Sequence, residues 1–109
     1  MDLSAAYSAH GRAEVTFAAQ VTTPPDYFCS LRTHRQHESF GAQTCAGPVK
    51  IVDNVGIAPP VPVVPGDRVE VRGEIVHDPG QMPIVHWTHH DPSGRHAPGF
   101  IRLDDRLYA

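Results

Sequence analysis

Ten residues, Arg68-Val69-Glu70-Val71-Arg72-Gly73-Glu74-Ile75-Val76-His77, constrain the fold more than any other stretch. In an extended chain Val69, Val71 and Ile75 fall on one face, and Glu70, Arg72 and Glu74 on the other. That alternation has the period of a half-buried strand. Gly73 stands on the apolar side, where a glycine marks a bulge or a sharp bend. Pro65-Gly66-Asp67 turns the chain just before the strand, and Asp78-Pro79-Gly80-Gln81 turns it just after.

The remaining segments repeat this design. Ala13 to Thr22 places Val15, Phe17, Ala19 and Val21 on one face and Glu14, Thr16 and Gln20 on the other. Thr23-Pro24-Pro25-Asp26 ends that strand, because prolines cannot continue a ladder. Tyr27 to Leu31 reads as a strand end or a covering loop. Ser39 to Thr44 and Val49 to Val55 read as a hairpin about Ala46-Gly47-Pro48. Ile57 to Pro65 holds four prolines in nine residues, which excludes a helix. Phe100 to Leu103 and Leu107-Tyr108 form a last pair around Asp104-Asp105, while Met1 to Arg12 is a frayed start or a short helix. The expectation is an all-β protein of five to six short strands, folded as a small, partly open, OB-like β-barrel, with a β-sandwich as the second choice. Val15, Phe17, Val69, Val71 and Ile75 belong to its core. At 109 residues the chain suffices for a single domain, residues 1–109.

Chemistry concentrates near the end. Four of the eight histidines, and the one tryptophan, lie in Val85-His86-Trp87-Thr88-His89-His90-Asp91-Pro92-Ser93-Gly94-Arg95-His96. Ile84 to Thr88 is β-branched and aromatic, and Asp91-Pro92-Ser93-Gly94 is a strong turn signal. A strand reaching His90 puts His86, Thr88 and His90 on one face and Trp87 and His89 on the other. The turn then brings Arg95 and His96 back toward the strand end.

Composition narrows the partners. Nine basic against twelve acidic residues give a formal charge of -3, so no global basic field points to nucleic acid. Arg32, His34, Arg35 and His37 supply a local basic patch. Cys29 and Cys45 read as two buried thiols, with a disulfide as the alternative in an exported protein. The N-terminal residues carry no basic and apolar leader pattern, and no run approaches the ~18 apolar residues of a membrane span. A soluble, cytoplasmic protein, monomeric or a small homo-oligomer, is expected.

Gly66-Asp67-Arg68-Val69 through Gly73-Glu74, then His86-Trp87-Thr88-His89-His90-Asp91-Pro92, Gly94-Arg95-His96 and Gly99-Phe100-Ile101, resembles the bacterial domain-of-unknown-function family 3465. The resemblance covers residues 13 to 108, and the Trp-Thr-His-His-Asp-Pro string is its specific part. His37-Glu38-Ser39-Phe40 is similar to that family's His-Gln-x-Phe piece. Asp53-Asn54-Val55-Gly56-Ile57-Ala58-Pro59 is similar to its His-Asn-Ile-Asp-Leu-Ala-Pro piece, with Asp53 in place of His and Gly56 in place of Asp. The resemblance implies an OB-like barrel and brings no established activity.

Three function classes follow from the side chains. The first is a phosphodiester hydrolase acting on nucleic acid or a nucleotide. Its candidate catalytic residues are His37, His86, His89, Asp91 and His96. Two imidazoles, one basic and one acidic, can cleave a phosphodiester when a guanidinium stabilises the developing charge. Arg35, Trp87 and Arg95 are the substrate-binding candidates. A divalent metal (Zn, or Mg or Mn) is the alternative agent, with His86, His90 and Asp91 as ligands, joined by His37 or Asp53. The second class is a non-catalytic OB module that binds nucleic acid or a ligand, Trp87 stacking on a base. In the other reading of Trp87 it anchors the core. The third class is a metal-binding or structural protein. Glu70, Arg72 and Glu74 read as a solvated face, with Glu74 a base if a bend brings it to the pocket.

Overall fold

The longest strand pair is the frame. In the computed structural model, which describes residues 2–109, β1 (Gly11–Val21) lies antiparallel to β5 (Arg68–His77) in unbroken register from Gly11↔His77 to Gln20↔Arg68. β3 (Gln36–Gln43) and β4 (Pro48–Asn54) form the expected hairpin, and β3 pairs with the end of β1. The short strand β6 (Ile84–His86) runs parallel to β4 and antiparallel to β5. These five strands close a ring, β1-β3-β4-β6-β5 and back to β1.

Three more strands complete one eight-stranded mixed sheet. β2 (Asp26–Cys29) pairs with the free edge of β3, β7 (Phe100–Leu103) with β5, and β8 (Arg106–Tyr108) with β7. The protein is therefore mostly β, with more strands than the five or six expected. β2 escapes sequence pattern because all four of its residues are exposed. Its pairing rests on the hydrogen-bonding edge of β3 rather than on burial. One short helix, α1 (Leu3–Ser8), buries Leu3 and Ala6, and the Tyr7 hydroxyl donates to the Pro48 carbonyl at 2.9 Å.

The expected core is buried throughout: Val15, Phe17, Val69, Val71 and Ile75 join Ile51, Val85 and Ile101 inside the ring. The prolines of 57–65 keep that segment extended, so Val61 and Val63 reach the core while Val64 stays exposed. Neither cysteine is a buried thiol or half of a disulfide. Both are free and exposed, Cys29 at the end of an edge strand and Cys45 in the hairpin turn.

Gly73 forms no bulge, since the register with β1 runs through it. It marks instead the residue at which the other edge of β5 changes neighbour, from β6 at Glu74–Val76 to β7 at Val69–Arg72. The chain leaving β6 passes so close that a Cβ on residue 73 would sit 2.5 Å from the His86 carbonyl oxygen. Gly99 tolerates no side chain either, since its Cβ would collide with the carbonyl oxygens of Trp87 and Arg72.

Two carboxylates point inward. Glu38 and Asp53 are cross-strand partners, and both are fully buried. Glu38 accepts from the Val61 amide at 2.9 Å and the Tyr27 hydroxyl at 3.1 Å. Asp53 Oδ1 lies 3.1 Å from Thr88 Oγ1, and its Oδ2 has no partner among the described residues. Burial, only partly offset by the Thr88 bond, raises the Asp53 pKa from 3.8 to about 7. Burial also raises Glu38.

The native state thus holds the Asp53 proton more tightly than the unfolded chain does. The wild type should lose stability as pH climbs from 3.8 through about 7, and little further above that. Asp53→Asn removes this loss. Its stability relative to wild type, measured by urea unfolding, should rise between pH 5 and pH 8 by on the order of 1–3 kcal/mol. A pH-independent difference would refute the buried-proton account.

Candidate functional site

Residues pointing away from the core on β3, β4 and β6 make one wall-to-wall surface. His37, Lys50, Val52, Asn54, Ile84 and His86 floor a groove of about 570 Å³. Phe28, Ser30, Arg32 and Thr33 from the segment after β1 form one side, and Trp87, His89 and Arg12 close the other. Among the described residues no carboxylate lines it, while three fixed cations do. A chain of net charge -3 therefore still presents a local cationic cleft.

The imidazoles of the groove are each held by one nitrogen. His37 Nδ1–H donates to the Arg35 carbonyl at 3.0 Å, and His89 Nδ1–H donates to the His90 carbonyl at 2.6 Å. His86 Nε2–H donates to Glu74 Oε1 at 2.9 Å, which leaves Nδ1 as its basic nitrogen. His89 is only 5% exposed, and that burial lowers its pKa, so it stays neutral near pH 7. The Phe28 and His37 rings stack at 5.5 Å.

Glu74 is the hub beside the groove. It accepts from His86, and Arg12 Nη1 lies 3.1 Å from the same oxygen, Oε1. Its Oε2 faces His96 Nε2 at 3.5 Å. Glu14, its cross-strand partner, puts Oε1 3.3 Å from the same nitrogen. Burial opposes ionisation of Glu74, but the bonds from His86, His96 and Arg12 outweigh it and lower its pKa. One ligand atom each from Glu14, Glu74 and His96 lies within 4.8 Å of the others, so this cluster is a possible metal site.

Two local devices hold the histidine stretch in this shape. The strand ends at His86 because Trp87 takes a left-handed φ of 56°, a costly conformation for a bulky residue. Thr88 turns inward instead, within 3.1 Å of Asp53 Oδ1 and the Val52 carbonyl. The Asp91 carboxylate then gathers the loop, accepting from the amides of Ser93, Arg95 and His96 and from the Ser93 hydroxyl. Those bonds, led by the Ser93 amide and hydroxyl, bring its pKa down to about 2. The folded-back His96 ring lies on Trp87 at 4.1 Å and 9°, and its Nδ1–H donates to the Ala97 carbonyl.

The expected residues are thus divided. His37, His86, Trp87 and His89 line the groove. His96 stands apart from its lining, on the Trp87 ring and against Glu74 and Glu14. Asp91 is a loop anchor, and His90, Arg35 and Arg95 are exposed and outside the lining. The trio His86, His90 and Asp91 is not brought together, because the kink at Trp87 removes the shared face of His86 and His90. Among the described residues the grouped donors are Glu14, Glu74 and His96. Trp87 is half-buried and outside the core, contrary to its reading as a core anchor.

Sequence reasoning also passed over Arg12, Glu14 and Lys50, and read Glu74 mainly as solvated surface. Glu74 follows the one glycine on the apolar face of β5, a signal that the chain is approached there. Arg12, Glu14 and Lys50 offered no such cue.

The model of a family described as "Protein of unknown function (DUF3465)" matches residues 32–109, and the chain belongs to that family. The match takes in the whole histidine stretch and begins after β1 and β2, so Arg12 and Glu14 lie outside it. No curated protein matches the chain.

If Asp91 sets the loop, Asp91→Ala should shift Trp87 fluorescence toward the spectrum of His96→Ala while far-ultraviolet circular dichroism stays that of the wild type. An unchanged emission in Asp91→Ala, with a clear change in His96→Ala, would show that the stack stands without the anchor.

Proposed function

We propose that this member of the family is a phosphodiester hydrolase, acting on nucleic acid or a nucleotide. The observation that carries the reading is a carboxylate-oriented imidazole, His86 on Glu74, in the floor of a groove lined by cations and, among the described residues, by no acid. An oriented His with a basic nitrogen to spare is the usual general base near neutral pH. We take the ring of five strands as an OB-like, partly open barrel. Its order, 1-2-3-5-4-1 with the third and fifth strands parallel, supports this. In such barrels the face of the second and third strands carries ligands, and here that face bears His37, Lys50, Val52 and Asn54.

In this mechanism Arg12, Arg32 and Lys50 hold the phosphodiester and offset the charge that develops on its oxygens. His86 Nδ1 takes a proton from the attacking water, and Glu74 stabilises the imidazolium that results. The hydroxide oxygen bonds to phosphorus as the bond to the leaving oxygen breaks. His37 acts as the general acid, its Nε2 giving a proton to that oxygen while Nδ1 stays on the Arg35 carbonyl. His89, kept neutral by burial, orients the phosphate as a polar neighbour. Asp91 and His96 act through the loop, fixing Trp87. A divalent cation, zinc or magnesium or manganese, is the one cofactor the reading admits.

A second reading has its own support. Aromatic and cationic side chains share the groove lining, with Phe28 stacked on His37 and Trp87 backed by His96. Such lining suits single-stranded nucleic acid held by stacking and charge without cleavage.

Labelled single- and double-stranded DNA and RNA, with and without Zn²⁺, Mg²⁺ or Mn²⁺ and with a chelator, separate the two. Cleavage should fall ~10²–10⁴-fold in His86→Ala, the usual contribution of a general acid or base. Binding without cleavage, weakened by salt and by Trp87→Ala, would replace the hydrolase with the binding module. Neither binding nor cleavage on any of these substrates would refute both.

A further inference from the structure

Glu14 and Glu74 are direct partners across β1 and β5, on the outer face of the longest strand pair. Like charges set directly opposite in an antiparallel pair are destabilising. His96 is then folded back over them by the Asp91 loop, with its ring fixed on Trp87. Its Nδ1–H is committed to the Ala97 carbonyl at 2.8 Å. That bond commits Nδ1 and leaves Nε2 facing both carboxylates, which without a cation favour a proton there and raise the His96 pKa. A metal ion would displace that proton, with the backbone carbonyl supporting the ligating ring.

The distances are those of weak hydrogen bonds and also suit a shared cation. His96 Nε2 lies 3.3 Å from Glu14 Oε1 and 3.5 Å from Glu74 Oε2. Both are longer than a good charge-assisted N–H···O bond, which is about 2.7–2.9 Å. Both match the edge of a tetrahedron, about 3.4 Å, whose centre is bonded to N and O ligands at about 2.0–2.1 Å. We propose that Glu14, Glu74 and His96 bind one divalent cation of the zinc class, with a fourth position left to solvent.

The donor set decides the metal. One imidazole with two carboxylates suits zinc, whereas magnesium prefers oxygen ligands and keeps its water. Three protein ligands and an open position are the composition of a catalytic rather than a structural zinc site. Glu74 can serve the ion through Oε2 while Oε1 still accepts from His86. Arg12, the other group on Oε1, is largely exposed and free to move aside. The site stands on this geometry alone and does not depend on the groove being a hydrolase.

The test uses the full chain without a histidine tag, stripped with a chelator, and titrated with Co²⁺ as a spectroscopic probe and then with Zn²⁺. One equivalent of Co²⁺ should bind with visible absorption, be displaced by Zn²⁺, and survive millimolar Mg²⁺. Glu14→Gln and His96→Ala should each weaken binding by more than the ~10–100-fold that loss of a supporting residue costs. His90→Ala and His37→Ala should leave it unchanged. Glu14→Gln should also abolish the rise in melting temperature that Zn²⁺ gives the wild type. No cobalt absorption, or binding that Glu14→Gln and His96→Ala leave intact, would overturn the proposal.

Discussion

Two glutamates face one another across the longest strand pair, and the positive and polar groups gathered around them shape everything nearby. Glu14 and Glu74 are forced together by the β1–β5 register, which the core side chains of both strands lock in place. A one-residue slip would turn Val15, Phe17, Val69 and Val71 outward, so the register cannot relax to separate the charges. Arg12 and His86 meet Glu74 from one side, and His96 meets both glutamates from the other. The histidine stretch is placed by electrostatics on a frame that hydrophobic burial has already fixed.

The interior of the ring works with that surface cluster. Asp53 and Glu38 sit where the interior of the ring would otherwise be apolar, and Asp53 draws Thr88 inward. With Thr88 inside, Trp87 is pressed into a left-handed conformation, and β6 stops at His86. The kink lets Trp87 and His89 join His37 and His86 around one groove and stacks His96 against the indole. Gly73 and Gly99 make it possible, since both give way to the backbone that runs past them. A buried polar contact, a strained residue and two glycines thus convert a strand into a site.

Much of the frame was legible in the sequence. The alternation of Arg68–His77 and of Ala13–Thr22, and the prolines between Ile57 and Pro65, are local signals, and each gave the correct element. β2 was not legible, because a fully exposed edge strand has no alternation to read. The histidine stretch is chemically dense in the sequence, but its β-branched and aromatic run from Ile84 to Thr88 reads as strand, and a shared face for His86 and His90 follows only if that strand continues to His90. The kink at Trp87 depends on Asp53, thirty-odd positions earlier, and no local pattern carries that contact. Glu14 was hidden for a similar reason: it becomes special only through its pairing with Glu74 and the return of His96.

The central claim is that Glu74 orients His86 while the Ala97 carbonyl orients His96, so that the two rings present opposite nitrogens. Long-range ¹H–¹⁵N correlation spectra of the imidazoles at pH 7.5 report this directly. The account expects His86 to carry its proton on Nε2 and His96 always to carry one on Nδ1, with the His86 tautomer scrambled in Glu74→Gln. His86 found as the Nδ1–H tautomer, or averaging between the two in the wild type, would contradict it.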